Sequence, residues 1–119
     1  MFEGLKLRGK FGELSRRLKI SGETHAILWM GIDRYVVEMK QRKLDPLQGV
    51  VLMLSDAIVR AEANGSLAKI KNEHPQVYAD LRSLWLFCGE MVRDDYDRFA
   101  RVLMVPTAHD GSPFDAAGQ

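Results

Sequence analysis

Apolar residues return every three or four positions over most of this 119-residue chain, the spacing of helices that bury one face. Across 23–44, Leu28, Ile32, Tyr35, Val36 and Met39 share a face. Ile27, Met30 and Val37 point elsewhere, so the first half of that segment is apolar nearly all round. Leu44-Asp45-Pro46 ends it, because a residue before proline is biased away from the α region. The 46–63 segment has the clearest boundaries. Asp45 suits an N-cap, Pro46 the first helical position and Gln48 the capping-box position. Leu47, Val50, Val51, Leu54, Ile58 and Ala61 form its stripe, and Asn64-Gly65 supplies a left-handed stop. Ser66 is the N-cap of the next segment, which Pro75 either kinks or restarts after a short 67–73 piece. From 76 to 105 the pattern predicts one helix closed by Pro106, with Leu81, Leu84, Trp85, Cys88, Val92, Tyr96, Phe99 and Leu103 on one side.

The two ends break this pattern. Gly4, Gly9 and Gly12 argue against a continuous helix over 1–22. There RLKIS (17–21) alternates like a short strand, while GELSRRLKI equally fits a helical turn or two. PTAHDGSPFDAAGQ (106–119) is polar, rich in glycine and proline, and aperiodic, as in a flexible, disordered tail. The expectation is an all-α small helical bundle over 23–105. A basic arm at 1–22, holding at most one short strand, precedes it and a loose tail at 106–119 follows.

Composition narrows the class. Hydrophobic residues make up 46% and charged residues 28%, an ordinary globular balance in a length suited to one domain. Net charge is only +1. Within 1–20, however, Lys6, Arg8, Lys10, Arg16, Arg17 and Lys19 face only Glu3 and Glu13. The basic charge is therefore local to the N-terminus. Cys88 is the one cysteine, so no disulfide closes within the chain and a reducing, cytoplasmic setting is expected. Apolar runs such as VVLML and LWLFC fall far short of the ~20 residues of a membrane span, and no membrane partner is expected.

The densest cluster of ionisable residues is EMVRDDYDRFARV (90–102). On a helix, Asp94 precedes Arg98 and Asp97 precedes Arg101 by four residues, the favourable order for acid–base pairs. That predicts a solvated, self-paired face, not a metal site, which wants carboxylates converging without adjacent cations. Asp95 falls beside the apolar stripe and needs a partner, such as Arg34, or a place at the rim of a contact. His25, near the apolar face of its segment, fits a hydrogen-bonded structural histidine. His74 suits a helix start, and His109 lies in the tail. Without Ser/His/Asp, Cys/His or phosphate-loop patterns, the chain is read as a non-enzyme with no cofactor and no metal. Leu86 and Phe87 make LWLFC apolar all round, so either this helix is central to the bundle or a protein interface is expected at Leu86 and Phe87, with Asp95 at its rim. A homodimer is the association expected of a small domain with such two-sided apolar helices.

Residues 13–28, ELSRRLKISGETHAIL, resemble two DNA-binding patterns. The helix-turn-helix likeness rests on Leu14, Leu18, Ile20, Ser21, Thr24 and Leu28. It departs at Lys19, where the turn wants glycine, and at His25, where the core wants valine or isoleucine. Its outward residues Gly22, Glu23, Ala26, Ile27 and Met30 offer DNA no donor, so it is set aside. KISGETHAIL (19–28) resembles the strand and helix start of the ribbon-helix-helix family. That resemblance implies paired strands from two chains in the major groove. Arg17, Lys19 and Ser21 would then face duplex DNA, with Leu18 and Ile20 facing the core. It covers roughly 17–63. Asp45 departs from it, since a phosphate would be expected at the second helix's N-terminus, and 66–105 has no counterpart. Two readings follow: a dimeric DNA-binding regulator, or a helical protein-binding module such as an adaptor, inhibitor or assembly factor.

Overall fold

VVLML is too apolar to present any side to water, and it occupies the centre of the molecule. In the computed structural model, which describes residues 2–100, 102, 113 and 114, it lies in α4 (Pro46–Ala63). Every residue from Gln48 to Ser55 is buried, as is Ile58, and a helix apolar all round belongs inside a bundle. Packed around it are α1 (Phe2–Arg17), α3 (Ile32–Gln41), α5 (Ser66–Glu73), α6 (Pro75–Asp94) and the short α7 (Tyr96–Phe99). The helix α2 (Gly22–Met30) packs on α3 and α6 instead. The described residues contain no strand, so the fold is the all-α bundle that the periodicity predicts.

The predicted α4 start is built as expected. Asp45 Oδ1 accepts from the Gln48 N–H at 2.8 Å, and the Gln48 side chain accepts from the Asp45 N–H at 2.9 Å. Arg98 donates to the other Asp45 oxygen at 2.8 and 3.1 Å, and Gln48 Nε2 donates to the Arg98 carbonyl at 2.9 Å. These bonds latch α7 to the N-terminus of α4. At Gly49 the packing needs a hydrogen side chain: a Cβ there would lie 2.6 Å from Met39 Sδ and 3.1 Å from Leu7 Cδ1.

Besides α5, which starts on Ser66 with Gly65 and not Ser66 as its N-cap, three boundaries differ from expectation. First, α1 runs unbroken through Gly4, Gly9 and Gly12. Leu7, Phe11 and Leu14 recur on its inner face, at most 4% exposed. Burying each is worth ~1.5–3 kcal/mol, against ~1 kcal/mol for each interior glycine, so packing outweighs propensity. The RLKIS alternation is therefore the end of a helix and a turn, not a strand. Ile20 N–H bonds the Ser15 carbonyl at 2.9 Å and Lys19 N–H that of Arg16 at 3.2 Å, with Lys19 left-handed at φ 56°. This is a Schellman stop with lysine where glycine is usual. Second, the 23–44 segment breaks at Gly31 into α2 and α3; the break leaves Leu28 buried on one helix and Ile32, Tyr35 and Met39 on the other. Third, the 76–105 helix ends at Asp94, with Asp95 out of helical conformation (φ −143°, ψ 71°) between α6 and α7. Pro75 starts α6, the second of the two outcomes foreseen.

Most of the expected tail lies outside the described residues. Within it Phe114 is 6% exposed and meets Tyr78 edge-on at 5.2 Å and Trp85 at 6.4 Å.

Candidate functional site

The fold separates the residues expected to bind DNA. Arg17 ends α1 and lays its guanidinium over the Phe87 ring, 5.6 Å from its centre. Lys19 is exposed on the turn. Ser21 caps α2, accepting from the Thr24 N–H at 3.3 Å. Ser21 also donates to Asp80 through its N–H at 3.1 Å and its hydroxyl at 2.7 Å. Thr24 Oγ1 donates to the same carboxylate oxygen at 2.6 Å, and Gln76 Nε2 to the other at 2.9 Å. Burial alone would raise the Asp80 pKa. The bonds from Thr24, Ser21 and Gln76 outweigh it and hold the carboxyl below its ordinary value. Thus the S-x-x-T of the resemblance forms a cap and an anchor to α6.

The expected protein-interface residues also part company. Leu86 is 56% exposed, whereas Phe87 is only 5% exposed and lies inside the chain. Asp95 does not depend on Arg34: it is exposed and caps α7 by accepting from the Arg98 N–H. Arg98 pairs with Asp45 and not with Asp94, which meets Arg93 at 3.4 Å. The Asp97–Arg101 pairing lies outside the described residues. Cys88 is buried, which pushes its thiol up to about 12 against a weaker lowering by a bond to Ser55. Such a thiol is inert.

A groove of about 570 Å³ opens between α1 and α2. Arg8, Arg16 and Lys19 line it, with no carboxylate. Arg8 pairs with Asp33 at the rim and lies over the Trp29 ring at 5.6 Å. Arg16 and Lys19 make no ion pair among the described residues. On one wall His25 stacks between Phe11, at 4.8 Å and 8°, and Trp29, at 5.3 Å and 28°. Its Nδ1 lies 2.9 Å from Ser15 Oγ. A serine beside an imidazole can be an activated nucleophile, but this serine is 6% exposed, within a helix. No carboxylate orients the ring among the groove-lining residues. The pair holds the imidazole in place, as the structural reading of His25 expects. Gly9, Gly12 and Gly22 complete the lining, and a Cβ at Gly9 or Gly22 would meet nothing within 4 Å.

Beside this groove α2 turns an apolar side to water. Only Thr24 and Leu28 of its residues are buried. At about 100° per residue, the outer arc runs Trp29, Gly22, Ala26, Met30, Glu23, Ile27, all exposed; Met30 reaches 85%. The sequence shows Ile27 and Met30 off the core stripe. It does not show that α1 brings its cations beside them, since that depends on the turn at 18–21. Among the described residues no cluster of His, Cys, Asp or Glu could hold a metal ion, and no helix is long and apolar enough to cross a membrane. No family model, curated protein or solved structure matches this chain.

Proposed function

We propose that the protein is a non-enzymatic helical binding module that docks a protein partner on the face formed by α1, α2 and α3. The observation that carries this reading is the inside-out character of α2. Ala26, Ile27, Trp29 and Met30 lie on its solvent arc, interrupted by one charge, Glu23. Leu5 and Val37 on the neighbouring helices are 65% and 54% exposed, so among the described residues five of the seven large exposed apolar side chains belong to these three helices. Large apolar side chains left exposed on neighbouring helices fit an interaction site, and tryptophan and arginine are the side chains that most often anchor one. Nothing in the fold needs Met30 to be apolar.

A second reading, duplex DNA as the partner, draws on the same region. Arg8, Arg16 and Lys19 face one groove without a carboxylate, and Lys19 is among the residues the ribbon-helix-helix resemblance assigns to DNA.

Affinity capture from native cell extract separates the two. With nuclease present, the wild-type chain retains protein partners that Met30→Glu and Ile27→Asp variants lose, while both variants keep the wild-type melt. Identical capture by wild type and variants overturns the protein-docking reading. Capture that nuclease abolishes favours DNA. Sedimentation of the purified chain shows whether a second copy of itself is the partner.

A further inference from the structure

We infer that the groove between α1 and α2 receives an acidic, amphipathic helical segment of the docked partner; this rests on the binding-module reading and names the partner's chemistry. Charge complementarity is the first argument. Arg16 and Lys19 line the groove with no ion pair among the described residues, and Arg8 adds a third cation beside them. The second argument is shape. Gly9 and Gly12 lie mid-helix on the solvent side of α1, where glycine weakens the helix, and the bundle does not require them. A Cβ at Gly9 would meet nothing, and one at Gly12 only the tip of Arg16 at 3.6 Å. The space they leave lies outside the chain. Lys19 departs in the opposite sense, placing a charged side chain in a left-handed turn that favours glycine. Lys43 accepts the same conformation away from the groove, so the weight falls on the conjunction at one place.

Duplex DNA fits this surface less well. Glu13 pairs with Lys10, Asp33 with Arg8 and Glu23 with His74, so carboxylates interrupt the positive track that a phosphate backbone would follow. A helix with both apolar and acidic residues matches the alternation. Its apolar side would meet Trp29, Ile20 and the α2 arc, and its carboxylates would meet Arg16 and Lys19. From Arg8 to Arg16 the groove runs about 12 Å, two turns of a docked helix.

The test uses three labelled probes and fluorescence anisotropy at low salt. One is a synthetic helix with leucines along one face flanked by glutamates. The second carries lysines for the glutamates, and the third is random-sequence duplex DNA. The leucine–glutamate helix is expected to bind, more weakly as salt rises, and to shift the emission of the half-exposed Trp29. Arg16→Glu/Lys19→Glu weakens that binding about tenfold or more and gives the lysine helix the advantage. Gly9→Leu, whose Cβ would meet nothing within 4 Å, blocks the groove without lowering the melt. Failure of the leucine–glutamate helix to bind overturns the inference, as does equal binding of both helices. Binding lost in Met30→Glu but indifferent to Arg16, Lys19 and Gly9 overturns the groove while leaving the docking face intact. Binding of DNA alone, dependent on Arg16 and Lys19, replaces both with a nucleic-acid site.

Discussion

Two glycines on crossing helices make opposite demands. Gly49→Ala drives a methyl to 2.6 Å from Met39 Sδ and should cost ~1–3 kcal/mol by overpacking. Gly9→Ala meets nothing and should stabilise by up to ~1 kcal/mol through helix propensity. Thermal or denaturant melts of both variants check the sign: a destabilised Gly9→Ala would mean that α1 needs that glycine for its own fold. Asp80 is the other decisive residue. Its folded-state pKa lies below the ordinary 3.8. Its contribution is therefore complete above that value and is lost as pH falls through the lowered folded pKa. Asp80→Asn should cost ~1.5–3 kcal/mol near neutrality, the worth of hydrogen bonds to a charged group. It should also flatten the acid limb of stability against pH. An unchanged acid limb would show that Asp80 is not ionised in the fold.

Among the helices, the two ends of the α7 latch should differ in weight. Asp45 caps α4 and pairs with Arg98, whereas Arg98 contributes a half-exposed ion pair. Arg98→Ala should cost at most ~1 kcal/mol. Asp45→Ala should cost ~1–2 kcal/mol, because the cap is lost as well. Chemical denaturation of both orders them, and equal losses would place the effect in the ion pair alone. Elements bounded by local chemistry were legible in advance: α4, with its cap, proline and Asn-Gly stop, and the α6 start at Pro75. Those decided by tertiary packing were not. The glycines of α1 read as breaks because Leu7, Phe11 and Leu14 have no visible partner until α4 is in place. The break at Asp95 was hidden because the apolar stripe continues past it to Phe99, while Arg98 turns to Asp45. The candidate groove was legible only as excess basic charge before residue 20, as His25, and as Lys19 in a position that wants glycine. Its walls come from two helices whose approach depends on the 18–21 turn and the Asp80 anchor. No local pattern records either.

For the molecule as a whole, the enclosed position of α4 has a consequence in time. Over Gln48–Ser55, where every residue is buried, the helix has no face through which solvent can reach its amides while the bundle is closed. Its protons should exchange with deuterium only when the entire fold opens, at a free energy equal to global stability. Amides of α2, with two buried residues, should exchange earlier through local opening. Cys88, whose Sγ lies against the Val51 carbonyl of α4 at 4.0 Å, should keep the same clock, reacting with thiol reagents at the rate of the slowest α4 amides. Mass spectrometry of both reactions on one sample measures the agreement; a thiol that labels much faster than α4 exchanges would mean that α6 lifts away alone. On this timetable the proposed docking surface can loosen and re-form many times within a single lifetime of the core.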